Sequence, residues 1–229
     1  MLKIHHIAKP QTVGTNFITT QQTEKPVVTD DQISSNTSQA ITLDFFEPLK
    51  FIKGDNYLYD TEFVKSEGIY IWTIKDDKSG NNYIHYLGET VSFGKRQKEH
   101  LIQMTGLNYR IIDPDLARQG IEKIIWNGMW RDKSSNAVTT LLDNYNEVTK
   151  KVVDYIGLIN VYFAPTTFET HLRRHIEGCL GWNFRNKYPD LKTFYPDDNH
   201  VGTKSQRLGQ RLIVNLPENI AGIDREQTI

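Results

Sequence analysis

The fold is decided by two stretches, Gly68-Ile69-Tyr70-Ile71-Trp72-Thr73-Ile74 and Tyr83-Ile84-His85-Tyr86-Leu87-Gly88. Both are rich in β-branched and aromatic residues, which favour β-strands. The polar stretch from Lys75 to Asn82, which contains a glycine, separates them. Two such runs joined by a short polar loop are typical of a hairpin. The sequence therefore predicts two antiparallel strands joined by a polar turn.

Helical patterns follow the hairpin. The sequence predicts a helix from about Gly94 to Met104, on which Arg96 and His100 are four residues apart and share one face. Weaker helical patterns cover Asp115 to Ile125 and Ala137 to Val152. The first helix begins just after the second strand, so its polar face is expected close to Tyr86.

A third strand and a last helix complete the pattern. The apolar residues from Val153 to Phe163 predict the strand, and Pro165 ends it. Thr166 and Glu169 have the spacing of a capping box, which marks the start of a helix. Apolar residues then recur every four positions and predict one buried face: Leu172, Ile176, Leu180 and Phe184. Glu177 lies at the margin of that face, so its backbone is fixed by the buried residues while its carboxylate can still be reached from solvent.

These elements predict an α/β (α+β) fold with a small, mostly antiparallel three-stranded sheet flanked by helices. The length of 229 residues suits one generous domain. Residues 1–40 are dominated by Thr, Gln, Ser and Asn, which is typical of a flexible or partner-binding arm. We expect the domain to occupy residues 41–229, with an insertion at about 101–152 and a C-terminal extension.

Composition excludes several classes of protein. The chain is 38% hydrophobic and 24% charged, which fits a globular domain and not a collagenous, coiled-coil or wholly disordered chain. No stretch approaches the ~20 apolar residues that span a bilayer, so we expect no membrane partner. The single cysteine, Cys179, fits a reducing compartment, and we expect a cytoplasmic protein.

The motif residues resemble the GIY-YIG nuclease family. Gly68-Ile69-Tyr70 matches the first motif, Tyr86-Leu87-Gly88 matches the second with leucine in place of isoleucine, and Arg96 and His100 follow on the helix. A glutamate on a later helix completes the family pattern, and Glu177 fits it. The likeness spans about Gly68 to Phe184 and is densest before Leu101.

The resemblance implies a site for phosphodiester hydrolysis with Mg²⁺ or Mn²⁺. Tyr70 matches the general base, Tyr86 would position water or phosphate, and Arg96 would stabilise the phosphate, with His100 beside them. Glu177 matches the metal ligand, with Glu169 as the rival and an ion pair with Arg173 as the structural alternative for Glu177. Three asparagines compete for a further family position: Asn183, Asn186 and Asn199.

Double-stranded DNA is the implied partner. The net charge is −1, but residues 171–211 carry eight basic and four acidic side chains. The candidate phosphate contacts are Lys95, Lys98, Arg173, Arg174, Lys204 and Arg207.

A separate DNA-binding domain is not visible in the sequence, so the likeness is greatest to a type II restriction endonuclease that acts as a homodimer. The insertion at about 101–152 would then hold the recognition elements. A structure-selective or phage-defence nuclease, and an inactive nucleic-acid-binding protein of the same fold, are the alternatives.

Overall fold

The structure is a computed structural model that describes residues 40–131, 134, 136–191, 194 and 209–229. Most of the predicted arm, together with Lys204, Arg207 and Asn199, lies outside the described residues. The strands are β1 (Ile41–Asp44), β2 (Leu49–Lys50), β3 (Gly68–Lys75), β4 (Asn82–Thr90), β5 (Ile111–Ile112), β6 (Ile124–Trp126), β7 (Ile159–Pro165), β8 (Arg211–Asn215), β9 (Ile220–Ala221) and β10 (Glu226–Thr228). The helices are α1 (Phe93–Thr105), α2 (Pro114–Ala117), α3 (Ala137–Leu158) and α4 (Thr170–Lys187).

The hairpin of β3 and β4 forms the centre of the main sheet. The two strands pair antiparallel, with Tyr70 opposite Gly88 and an irregularity in the register between Trp72 and Thr73. On its other side β3 pairs antiparallel with β7, which places Tyr70 opposite Phe163. Two strands of two residues each, β2 and β9, extend the sheet to the order β2-β7-β3-β4-β9. The mixed α+β class is confirmed, and the sheet has five strands where the sequence predicted three.

Apolar side chains fill both faces of this sheet. One face carries Tyr70, Trp72 and Phe163 and is covered by α1 and α3. The other carries Ile69, Ile71 and Tyr162, and packs against α4 and a second sheet of order β1-β8-β10. A strand that is buried on both faces reads as a continuous apolar run, as β3 does. Within the described residues, no helix is long and apolar enough to cross a bilayer.

Helix α3 continues further than predicted. Residues 153–158 were expected in the third strand, but they form the last turns of α3, and the strand begins at Ile159. Val148, Val152 and Tyr155 are buried at helical spacing, so the period of three to four residues outweighs the β propensity of the valines. The strand ends at Pro165 as predicted.

The predicted helix from Asp115 to Ile125 is mostly wrong. Its first turn exists as α2, capped by the Asp113 carboxylate. Gly120 has a φ of +74°, a left-handed conformation that ends the helix. The chain then returns as β6, which pairs with β5.

The predicted capping box at the start of the last helix is also wrong. Helix α4 begins at Thr170, with Glu169 as its N-cap residue, and no side chain caps the helix. The predicted apolar face is present, because Ile176, Leu180 and Phe184 are buried against the sheet.

Gly68 sets the distance between β3 and β7. A Cβ atom at this position would overlap the carbonyl oxygen of Ala164 and the Phe163 ring. The oxygen belongs to the backbone of the neighbouring strand, so a larger residue would push two central strands apart. Gly157, near the end of α3, has open space around it, with only an Ile52 side-chain atom at 3.9 Å.

We therefore expect opposite effects from two glycine-to-alanine substitutions. Gly68→Ala should destabilise the protein by about 1–3 kcal/mol, because the added methyl group overpacks the sheet. Gly157→Ala should be neutral or stabilise it by up to about 1 kcal/mol, since alanine favours a helix. Thermal unfolding of both variants tests this. Equal melting temperatures for the two variants would contradict the packing of β3 on β7.

Candidate active site

Helix α1 brings its polar residues to the hairpin through one buried face. That face has the helical spacing of four, three and four residues: Phe93, Gln97, His100 and Met104. The Gln97 Oε1 atom accepts a 3.0 Å hydrogen bond from the Trp72 indole, and both side chains are buried. This bond fixes α1 on β3 and places His100 against Tyr70.

Tyr70 is the buried centre of the site. Its hydroxyl forms a 2.7 Å hydrogen bond with Nε2 of His100. The other ring nitrogen, Nδ1, forms a 2.9 Å hydrogen bond with the hydroxyl of Tyr109. The Tyr86 ring stacks on Tyr70 with ring centroids 5.9 Å apart.

Gly88 provides the space for the Tyr70 ring. These residues are opposite each other in the hairpin, and a Cβ atom at Gly88 would overlap the ring and hydroxyl of Tyr70. The glycine that ends the second motif is therefore required by the tyrosine of the first. No other residue could occupy position 88 without moving Tyr70.

Arg96 supplies positive charge to both phenols. Burial raises the pKa of Tyr70 well above its usual value, and burial also raises the pKa of Tyr86. The charge and hydrogen bonding of the Arg96 guanidinium act in the opposite direction on both hydroxyls. Arg96 also forms a 3.2 Å ion pair with Glu99 at the surface. The guanidinium thus lies between the phenols and solvent.

His100 is neutral at physiological pH. Its complete burial and the nearby charge of Arg96 lower its pKa to about 3. A neutral imidazole donates one hydrogen bond and accepts one. His100 therefore uses both ring nitrogens, one toward each of its tyrosine neighbours.

Glu177 approaches the same phenols from α4, on the opposite face of the sheet. Its negative charge raises the pKa of Tyr70 and Tyr86, and Arg96 acts on Glu177 in turn. Burial, followed by the charge of Glu89, raises the pKa of Glu177 to about 7. The structure thus brings together all five predicted site residues: Tyr70, Tyr86, Arg96, His100 and Glu177.

Arg173 is not a phosphate contact, contrary to the prediction. Its side chain is fully buried and ion-pairs with Glu67 at 2.5 Å and with Glu89 at 3.3 Å. Its guanidinium also donates to the Phe168 carbonyl and the Thr170 hydroxyl. The alternative ion pair between Arg173 and Glu177 is absent as well, because Arg173 is committed to these other acceptors.

The remaining predicted cations differ in position. Lys95 and Lys98 are exposed on α1. Arg174 is 70% exposed and forms a 3.1 Å ion pair with Glu89, so its guanidinium is anchored beside the site. Lys204 and Arg207 lie outside the described residues.

Neither the rival glutamate nor the two described asparagines join the site. Glu169 is exposed at the start of α4, two turns before Glu177. Asn183 donates to Gln227 of β10, and Asn186 donates to the carbonyl of Trp182. The third candidate, Asn199, lies outside the described residues.

The site lies along the outer edge of β4. Strand β9 pairs with β4 only at Asn82 and Tyr83, so in the part of the chain described here no strand covers β4 from Ile84 to Thr90. Tyr86 is partly exposed on this edge, although Tyr70 behind it is buried. A ligand can therefore reach Tyr86, Arg96 and Glu177 from solvent.

Two residues of the site were missed by the sequence analysis. Tyr109 follows the end of α1, and helical spacing could not connect it to His100. Glu89 follows the second motif directly. Because side chains alternate along a strand, the Glu89 side chain lies on the α4 side of the sheet, where it forms ion pairs with Arg173 and Arg174. Strand alternation could have identified this orientation, but not the partners.

The oxygen donors of the site suit a hard divalent cation. Within the described residues, no group of three or more His, Cys, Asp or Glu side chains could hold a metal ion. Mg²⁺, however, is commonly bound through one or two carboxylates and keeps several waters. Burial, followed by repulsion from Glu89, raises the pKa of the Glu177 carboxyl group, and a bound cation would offset both effects. The residues present therefore fit Mg²⁺ or Mn²⁺.

Comparison with known proteins finds no match to a family model, to a curated protein or to a solved structure. What the site can do therefore depends on the chemistry of its own residues. Those residues combine two phenols, a guanidinium, a neutral imidazole and a carboxyl group at one accessible edge.

The pKa of Glu177 predicts a pH-dependent stability. The raised pKa means that ionisation of Glu177 is less favourable in the folded chain than in the unfolded chain. The stability that comes from its neutral form is therefore present at low pH and is lost as the pH rises through about 7. Without divalent metal, Glu177→Gln should unfold at a higher temperature than the wild type at about pH 8.5, and at nearly the same temperature at about pH 4.

Glu169→Gln is the control for this measurement, because Glu169 is an exposed glutamate at the N-cap of the same helix. It should follow the wild type at both pH values. A Glu177→Gln variant whose melting temperature differs from the wild type by the same amount at both pH values would contradict the unfavourable ionisation.

Proposed function

We propose that this protein is a divalent-metal-dependent DNA endonuclease of the GIY-YIG type. The observation that carries the proposal is the convergence of Tyr70, Tyr86, Arg96, His100 and Glu177 at the open edge of β4. Hydrolysis of a phosphodiester needs a base for the attacking water, positive charge where charge develops, and help for the leaving oxygen. The five side chains supply groups suited to each of these needs.

Tyr70 acts as the general base in this proposal. A phenol with a usual pKa near 10 is protonated at neutral pH, and burial makes it a still weaker acid. Arg96 and His100 offset this, because the guanidinium charge and a hydrogen bond from the imidazole both favour the phenolate. Tyr70, which is buried behind the partly exposed Tyr86, would then accept the proton of an attacking water that enters beside Tyr86, while its own ring stays fixed over Gly88.

Arg96 and Tyr86 bind the phosphate. A guanidinium is planar and permanently charged, and it matches two non-bridging phosphate oxygens at once. The side chain of Arg96 is 40% exposed, so a ligand can contact it from solvent. The partly exposed hydroxyl of Tyr86 orients the water or the phosphate beside it.

Glu177 would hold the metal ion, with Glu89 adjacent. When bound, Mg²⁺ or Mn²⁺ supplies positive charge that stabilises the leaving oxygen and lowers the pKa of a bound water. Glu177 must be ionised for this role. Its pKa of about 7 makes the carboxylate available at the upper end of the physiological pH range.

Cations on α1 and α4 flank the site and can contact the DNA backbone. Lys95 and Lys98 project from α1, and Arg174 projects from α4 on the other side. Phosphate contacts of this kind fix the position of a protein on the duplex without reading its sequence.

In a type II restriction enzyme of this kind, the insertion at about 101–152 would recognise the DNA sequence. Two copies would then cut the two strands of a symmetric site. Residues 101–152 include the end of α1, the pair β5 and β6, and the first part of α3.

The test is incubation of unmethylated plasmid with the purified protein and Mg²⁺. We expect discrete fragments from the wild type and from Glu169→Ala. Glu177→Ala should lose cleavage by about 10²-fold or more while it keeps measurable DNA binding, because the metal ligand is removed but the surface cations stay. Normal cleavage by Glu177→Ala together with loss in Glu169→Ala would contradict the ligand assignment.

The same experiment separates the alternative functions. Cleavage of branched substrates without discrete plasmid fragments would favour a structure-selective nuclease. Binding of DNA with no cleavage by the wild type in Mg²⁺ or Mn²⁺ would favour an inactive nucleic-acid-binding protein of this fold.

A further inference from the structure

A continuous chain of hydrogen bonds leads from the buried base to a partly exposed tyrosine. The Tyr70 hydroxyl is bonded to Nε2 of His100 at 2.7 Å, and Nδ1 of His100 is bonded to the Tyr109 hydroxyl at 2.9 Å. Tyr70 and His100 are both fully buried, whereas Tyr109 is only partly buried. Tyr109 is thus the end of this chain that lies nearest to solvent.

Tyr109 is held in place by the segment that follows β6. The backbone N–H groups of Met129 and Trp130 donate to the carbonyls of Leu107 and Asn108. Gly128 has a φ of +87°, and a Cβ atom there would overlap the backbone on both sides of Tyr109. The ring of Trp130 contacts Tyr109 edge-on, with centroids 5.3 Å apart. The position of Tyr109 is therefore fixed by the packing of its backbone and its ring.

A second buried histidine shows what is particular to His100. His85 is also fully enclosed, with Nε2 2.5 Å from the Tyr155 hydroxyl and Nδ1 2.7 Å from the Phe194 carbonyl. A carbonyl only accepts hydrogen bonds, so the proton of neutral His85 must stay on Nδ1. The His85 imidazole has a single tautomer and cannot pass a proton onward.

His100 has no such restriction, because a hydroxyl lies on each side of its ring. A hydroxyl can donate or accept, so either nitrogen of the neutral imidazole can carry the proton. In one tautomer Nε2 accepts the Tyr70 proton and Nδ1 donates to Tyr109. In the other, Nε2 donates to Tyr70 and Nδ1 accepts from Tyr109. The two tautomers differ by a shift of protons along the chain.

We propose that Tyr109 is a positioning residue that lets His100 carry the Tyr70 proton out to solvent. This inference rests on the proposed function, in which Tyr70 must lose its own proton before it can act as a base.

Three proton shifts carry one proton from Tyr70 to solvent. The Tyr70 proton moves to Nε2, the Nδ1 proton moves to the Tyr109 oxygen, and the Tyr109 hydroxyl releases its proton to water. Tyr109 and His100 end neutral, and the Nε2 proton hydrogen-bonds the Tyr70 phenolate. A positively charged imidazolium, which burial and Arg96 make unfavourable, never has to persist.

The tautomer of His100 can be measured independently of cleavage. We would label the histidines with ¹⁵N and record the ring nitrogen shifts of the wild type, Tyr109→Phe and Tyr155→Phe. Tyr109→Phe keeps the ring but leaves Nδ1 without a partner, and a buried N–H without an acceptor is costly. We therefore expect His100 in this variant to hold its proton on Nε2, so that it cannot accept the Tyr70 proton.

The cleavage rate should fall when the His100 proton is confined to Nε2. Tyr109→Phe should cut plasmid about 10-fold more slowly or worse, a smaller loss than the ~10²-fold expected when an acid–base group itself is removed. Tyr155→Phe, the matched control at His85, should change the His85 signals and leave the His100 tautomer and the cleavage rate unchanged. Thermal unfolding of both variants checks that the fold is intact.

Two kinds of result would contradict these expectations. A folded Tyr109→Phe protein in which His100 still carries its proton on Nδ1, or in which the proton is on Nε2 but DNA is cut at the wild-type rate, would overturn the relay. If the wild type cleaves no DNA, the proposed function fails, whereas a tautomer shift in Tyr109→Phe would still support control of His100 by Tyr109.

Discussion

The hydrogen bond between Tyr70 and His100 is the constraint on which the site depends. Both groups are fully buried, so each polar atom must find its partner inside the protein or carry a desolvation cost. This requirement fixes α1 relative to β3. The Tyr70 ring packs directly against Gly88, which has no side chain in its way. The position of Arg96 is then set, because Arg96 lies on α1 as well. The position of Glu177 is set by the packing of α4 on the opposite face of the same strands.

The sequence was sufficient for the elements with strong periodicity. The strands β3 and β4, the helix α1 and the apolar face of α4 were predicted because each has a clear period or a dense apolar run. The short strands β2 and β9 carry too few residues for a period, so the sheet was predicted with three strands. The C-terminal boundary of α3 was misplaced because valines favour strands locally, while the buried helical face that overrides them depends on tertiary packing.

The five site residues were predicted from the resemblance of their motifs to the GIY-YIG family, and their convergence is a property of the fold. The partners of the charged residues could not be predicted in the same way. Arg173 and Arg174 are adjacent on α4, but a turn of about 100° between them buries one and exposes the other. Tyr109 was missed because the loops after α1 and β6 place it, and no local pattern connects it to His100.

The proposed mechanism requires Tyr70 as the general base, and the decisive variant is Tyr70→Phe. Tyr70→Phe keeps the ring stacked on Tyr86 and removes only the hydroxyl that bonds His100. Single-turnover cleavage of plasmid DNA in Mg²⁺ should be compared with the wild type, after thermal unfolding has verified the fold. A rate lower by about 10²-fold or more is predicted for loss of a general base. A folded Tyr70→Phe protein that cuts DNA at the wild-type rate would show that Tyr70 is not the general base.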